Sequence, residues 1–321
     1  MTCRLPSVRT VVDMWARGPV AWAMAVGIAC AGCTPSPGNA TPASSPTHVQ
    51  SGPQPVATSA SHLSPPVVPA MPWRPEGTVV DGQPATYVAT TRGGTIGLLW
   101  MDPRSLVFRF VPGTQVPEGG PVLPADRVAA TWVGRMAAAF NGAFRLRDNV
   151  GGYFYHGTIV KPLRDGLASM VIDQQGHLSI IRWGRERHSV VGVQVVRQNL
   201  PLLVDQYTVR ASAHDGTRTW GAANNNTRLA NRSALGQLAD GSLVYAYGRD
   251  VTALDLAAAL VAVHARTAIM LDMNKSQPGG FVYWHEGSVV TGRRILPSID
   301  HQPSVYLAPH YKDLVVALTR P

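Results

Sequence analysis

The chain has 321 residues, 45% hydrophobic and 15% charged, which is enough apolar surface for a sizeable core in one large or two small domains. The net charge is +9; Arg4, Arg9 and Arg17 against Asp13 put +2 of it in the first 32 residues, and the other +7 is arginine-dominated, with Lys161, Lys275 and Lys312 the only lysines. No aromatic-and-basic stripe, zinc knuckle or recognition-helix pattern accompanies this charge, so nucleic acid is not an expected partner; a scattered solvated excess, or a surface facing anionic envelope polymers and lipid headgroups, fits better.

After the three N-terminal arginines, residues 18–32 form an uncharged apolar run. It is shorter than the roughly 20 residues of a membrane span and suits a signal-peptide core. The run ends at Ala31-Gly32-Cys33, small residues before a cysteine of the kind a lipoprotein signal peptidase accepts. Cys33 is therefore the expected lipidation site, and the protein is expected at the outer face of the cytoplasmic membrane. Ile28-Ala29-Cys30 offers a second site, and an uncleaved anchor or a secreted form stays open. Residues 34–73 contain no Lys, Arg, Asp or Glu and are dense in Pro, Ser, Thr and Ala, which predicts a disordered tether before a folded domain at 74–321. All three cysteines lie in the first 33 residues, so this domain has no disulfide, thiolate metal site or cysteine nucleophile.

Within the domain, TYVATT and TIGLLW read as strands separated by the turn Arg92-Gly93-Gly94, and SLVFRFV alternates. Residues 125–139 read as a helix. A β-meander is predicted from Gly151 to Ile181, with turns at His156-Gly157 and Gln174-Gln175-Gly176. Residues 188–204 continue β-rich and 205–230 read as a polar loop. SALGQL and SLVYAYG bracket the turn Asp240-Gly241 as a hairpin. Residues 252–265 are the clearest helix, with Thr252 as N-cap and Asp255 in its first turn, and AIMLD is a buried strand delivering Asp272 at its end. The expected fold class is α+β: one domain with a strand-rich mixed sheet core and a few packed helices.

Phosphate loops, dinucleotide turns, zinc-protease motifs and nucleophile elbows are absent, and the ten histidines show no metal-ligand spacing. No cofactor or metal centre is expected, although a divalent cation stays open. Four polar clusters sit at the edges of apolar elements. Asn141 precedes Gly142 as a tight turn or an amide aimed at a ligand. The pair Gly151-Gly152, followed by Tyr153 and Lys161, is either a bulge or a place where backbone approaches a ligand closely. Arg232 and Ser233 enter an apolar strand, and a buried arginine calls for an anion or an internal salt bridge. Asp272, with Asn274 and Lys275, closes a hydrophobic strand either as a turn cap or as a site carboxylate.

The segments AAFNGAF, GGYFYHG, PLRDGLASMVI, VRQNLPLLVD, RSALGQLADGSLVYAYG and AIMLDMNKS, in this order between about Trp132 and Gly287, resemble the phosphodiester glycosidase family. The chain departs from the family pattern at Ala143, where a second glycine is usual. A second departure is Asp272-Met273-Asn274-Lys275-Ser276, which stands where Asp-Gly-Gly-Gly-Ser is usual; a lipoprotein branch with Leu-Asp-x-Asn is similar here. The resemblance implies a hydrolase of sugar 1-phosphodiesters in an envelope glycan, or a non-catalytic envelope lipoprotein that uses the same fold to bind anionic glycan polymers. A sugar 1-phosphodiester carries a good leaving group, so its cleavage needs a cation for the phosphate and a carboxylate near the anomeric carbon. Arg232, helped by Lys161 or Lys275, is the expected cation, and Asp272 the expected nucleophile or base. Asn141 and Asn274 are expected on sugar hydroxyls, Tyr153 as an apolar face with a polar edge, and Asp205 as a second carboxylate or the partner of Arg232.

Overall fold

The computed structural model describes residues 62–114, 125–148, 150–211, 215, 217–221, 228–274 and 276–321. The expected leader, Cys33, the expected tether up to residue 61, and Lys275 lie outside the described residues.

Three antiparallel sheets carry the domain. The largest has eight strands, with Ile96–Met101, Leu243–Val251, Ala230–Gln237, Thr267–Met273 and Leu202–Asp205 as consecutive neighbours at its centre. A five-stranded sheet runs Val289–Arg294, Gly280–Glu286, Met136–Asn141, Leu314–Thr319, Leu106–Val111. Another five-stranded sheet runs Leu178–Arg182, Ala168–Asp173, Val193–Gln198, Tyr153–Tyr155, Thr158–Lys161. The expected α+β class is thus corrected: among the described residues the domain is mostly β, and Ala253–Ala262 is the one α-helix longer than a single turn. That helix forms as its sequence predicts. Thr252 accepts from the Asp255 N–H while Asp255 accepts from the Thr252 N–H, a reciprocal cap, and Leu256, Ala257 and Leu260 face inward.

Each face of the large sheet is buried by alternation along its strands. Ala234, Val244, Ala246 and Met270 turn toward the helix, whereas Leu235, Tyr245, Ile269 and Leu271 turn toward the core shared with the two smaller sheets. The helix expected over 125–139 is corrected too. Only Ala130–Val133 is helical, and Met136–Asn141 is a fully buried strand paired on both sides. Three alanines favour a helix in isolation, but two flanking strands satisfy this backbone on both edges, and tertiary context wins. Residues 62–73, read as the end of the tether, lie against the domain: Met71 is 4% exposed, the Trp73 indole donates to Pro66 O, and the Leu63 N–H donates to buried Asp102.

Candidate functional site

A β-bulge sets the direction of Asp272. Arg232 opposes Met273 and Ala234 opposes Met270, so three steps on one strand match two on the other. The extra residue turns the Asp272 carboxylate out of simple alternation, toward the core side where Ser233 also points. There the ends of strands from all three sheets converge. Asn141 closes the central strand of one, Arg197 and Gln198 close a strand of another, and Lys312-Asp313 lead into Leu314–Thr319.

The polar groups at this junction are bonded to one another. Asp272 takes the Lys312 ammonium on Oδ2 and the Met273 N–H on Oδ1 at 2.7 Å. Asp313 Oδ2 accepts from Arg197 Nε at 2.7 Å, and Arg197 also donates to the Phe144 and Gln198 carbonyls. Asp272 is 3% exposed and Arg197 2%. Burial pushes the Asp272 carboxyl above the usual carboxylate range, with Lys312 pulling the other way. The Lys312 ammonium and the Met273 N–H thus both favour the ionised carboxylate against its burial.

Of the expected residues, Asn141, Ser233 and Asp272 are brought together. Ser233 Oγ accepts from Asn141 Nδ2 at 2.9 Å and from the Asp272 N–H at 3.3 Å. Asn141 is nonetheless a joint, which corrects its expected contact with a sugar hydroxyl. Its oxygen accepts from Tyr245 Oη and the Gly279 N–H, and its amide donates to Ser233 and Gly142 O, filling all four of its bonds. Gly152 is tight against protein instead of ligand, since a Cβ there would lie 2.2 Å from Pro162 O. Asn274 is exposed and its side chain accepts from the Ser276 N–H. Asp205 pairs with Arg185 at 2.9 Å, not with Arg232.

Arg232 departs furthest from expectation. It neighbours the Asp272 strand, yet as the residue before Ser233 it points to the opposite face. Its guanidinium donates to the carbonyls of Trp220, Gly221, Arg228 and Val251. Burial lowers its pKa to about 10, so it stays charged at neutral pH. The cation expected to hold a phosphate instead ties down the chain before its strand. Arg232→Lys should lower stability by about 2–4 kcal/mol in urea unfolding, because three ammonium donors cannot reproduce the fork and buried carbonyls lose partners. An unchanged midpoint would remove this role.

Sequence reasoning missed Lys312, Asp313 and Arg197. The available signals were a Lys-Asp pair directly before LVVALT and an arginine closing VQVVRQ, charges that have no reason to abut buried strands unless they meet. A narrow crevice of about 10 Å³, room for roughly one water, opens at this junction, lined by Phe144, Arg145, Tyr153, Arg197, Lys312 and Asp313 among others. Among the described residues, no group of three or more His, Cys, Asp or Glu is arranged to hold a metal ion.

No family model matches the chain. No curated protein matches it either. Among solved structures, the chain is similar to the catalytic domain of zebrafish N-acetylglucosamine-1-phosphodiester alpha-N-acetylglucosaminidase auto-inhibited by its pro-peptide, at 14% identity and TM-score 0.43, over 79% of this chain and 84% of that one. A hypothetical protein from Synechocystis aligns at 14% identity and TM-score 0.38, over 77% of this chain and 64% of that one. A Burkholderia pseudomallei protein described as exported aligns at 12% identity and TM-score 0.31, over 74% and 75%. With TM-scores below 0.5, none of these likenesses says what this chain does.

Proposed function

We propose that the domain is a hydrolase of glycosidic phosphodiesters, acting on a sugar 1-phosphate linkage in an envelope glycan or glycoconjugate. The observation that carries this is the bulge-directed Asp272 carboxylate, buried against Lys312 where strand ends of three sheets meet. The ordered segments that resemble phosphodiester glycosidases add support. In this scheme the C1–O bond breaks and phosphate leaves with the electron pair. Water bonds to C1, and its proton passes to Asp272 acting as base. Lys312 keeps that carboxylate ionised against its burial and helps neutralise the departing phosphate. Because the crevice is lined by Lys312 and not by Asp272, binding must widen it and draw the ammonium aside toward the substrate. Export and a lipid on Cys33 belong to the same proposal, since they would bring the domain to envelope glycans. No helix among the described residues is long and apolar enough to cross a membrane.

The nearly complete cover of Asp272 favours a second reading, a non-catalytic lipoprotein that binds anionic glycan polymers at the same junction. One assay separates them: the purified protein is incubated with synthetic sugar 1-phosphodiesters, and released sugar and phosphomonoester are measured. Release at a rate proportional to enzyme supports the hydrolase. Binding without release over many hours sinks it and leaves the binder.

A further inference from the structure

A larger pocket lies at the other end of the strand that carries Asp272. Thr267 opens that strand and lines the pocket, whereas Asp272 stands about 17 Å further along it. The pocket holds about 160 Å³. An engineered cavity of roughly 150 Å³ takes benzene, so there is room here for a body of about six heavy atoms. Its inner wall is apolar and pinned in place. Ile180 and Leu238 are buried, Gln237 accepts from the Ile180 N–H at 2.9 Å, and Thr267 Oγ1 donates to Ile180 O at 3.1 Å. Its solvent side is polar, lined by the exposed side chains of Gln206 and Arg266 and by Glu186.

Arg266 has unused donors. Its Nε donates to Gln206 Oε1 at 3.1 Å, and among the described residues neither terminal nitrogen has a partner. The Glu186 charge beside it is already met. Arg185 donates twice to its Oε1, at 2.5 and 2.8 Å, and the Arg182 N–H donates to Oε2 at 3.0 Å. Arg185 also holds the Asp205 carboxyl below the usual carboxylate range, helped by the charges of Arg182 and Arg210. Four arginines thus share this corner with two carboxylates, and Arg266 is the one of the four that lines the pocket. The backbone is strained at the same place. Gln206 and Tyr207 form the two-residue turn between the paired Asp205 and Thr208, with φ of 48° and 63°. Asn-Gly suits such a turn, whereas longer side chains are disfavoured there. In return, the Gln206 amide oxygen sits on Arg266 Nε and the Tyr207 N–H donates to Arg266 O, so turn and arginine hold each other.

A planar guanidinium with open terminal donors, next to an apolar wall, matches a carboxylate on a small aliphatic body. We propose that this pocket binds a small monocarboxylate, with Arg266 gripping the carboxylate and Gln206 as the positioning residue that sets the guanidinium plane. The Glu186 carboxylate weighs against a doubly charged anion. The site is independent of the hydrolase proposal, and its test needs no turnover.

The probe is isovalerate, titrated calorimetrically into the full chain, with neutral isovaleramide and orthophosphate as comparisons. Isovalerate should saturate with a Kd of about 1 mM, and isovaleramide should bind at least about tenfold more weakly. Arg266→Gln, at an exposed position, should abolish saturable binding with Tm unchanged. Arg266→Lys keeps the charge but loses the fork, so it should still cost about tenfold in affinity. Gln206→Gly relieves the left-handed strain and frees the arginine, so isovalerate should bind more weakly while Tm stays level or rises. Isovalerate affinity equal to wild type in Arg266→Gln overturns the site, as does a wild-type protein that isovalerate does not saturate. Isovaleramide or orthophosphate binding as tightly as isovalerate overturns its carboxylate chemistry. Undiminished affinity in Gln206→Gly overturns the positioning role.

Discussion

Asp272→Asn is expected to lower kcat on a sugar 1-phosphodiester by about 10³-fold while changing KM little, because the base is required in the transition state more than in the ground state. Burial holds the Asp272 carboxyl above its ordinary range, so wild-type kcat should rise with pH through an apparent pKa above the usual ~3.9 of an aspartate. Asparagine removes the titrating group, and the acid limb should vanish from whatever activity remains. The variant also leaves the Lys312 ammonium, 7% exposed, without its counter-charge, so stability must be followed in parallel. A variant that retains wild-type kcat and its acid limb excludes Asp272 as the base.

How much of this was legible beforehand depends on where the determining contacts lie. The hairpin around Asp240-Gly241, the capped helix at Ala253–Ala262 and the strand ending at Asp272 are local patterns, and all three formed as their sequences predict. Met136–Asn141 misled because its alanines carry a helical preference, while its pairing partners, Gly280–Glu286 and Leu314–Thr319, lie more than a hundred residues away. The site divides the same way. Asp272 and Asn141 announce themselves as polar groups ending apolar runs. Lys312, Asp313 and Arg197 acquire meaning only when three sheets bring their strand ends together. Arg232 misled for another reason: alternation sends its side chain to the face opposite Ser233, and the carbonyls of Trp220, Gly221, Arg228 and Val251, from segments 4 to 19 residues away, claim its guanidinium.

Lys312→Met should cost about 3–5 kcal/mol of stability at neutral pH, read as a lower urea midpoint at unchanged slope, since it strands a buried carboxylate. The pH dependence has a definite sign. Without the ammonium, the Asp272 carboxyl loses the one charge that opposes its burial and rises further above its unfolded value. A group whose folded pKa is raised contributes stability below its unfolded pKa, and that contribution is lost as pH rises through the folded one. The deficit of Lys312→Met relative to wild type should therefore be largest near neutrality and shrink on acidification, as the folded protein takes up a proton that the unfolded chain still lacks. Adding Asp272→Asn to Lys312→Met removes the stranded charge, so the double variant should recover a large part of the loss and show no such pH dependence. Its turnover should stay as low as that of Asp272→Asn alone, which separates the chemical role of the carboxylate from its structural one. A double variant no more stable than Lys312→Met would mean that the ammonium matters for its packing and not for the charge of Asp272, and the ion pair would lose its place in the mechanism.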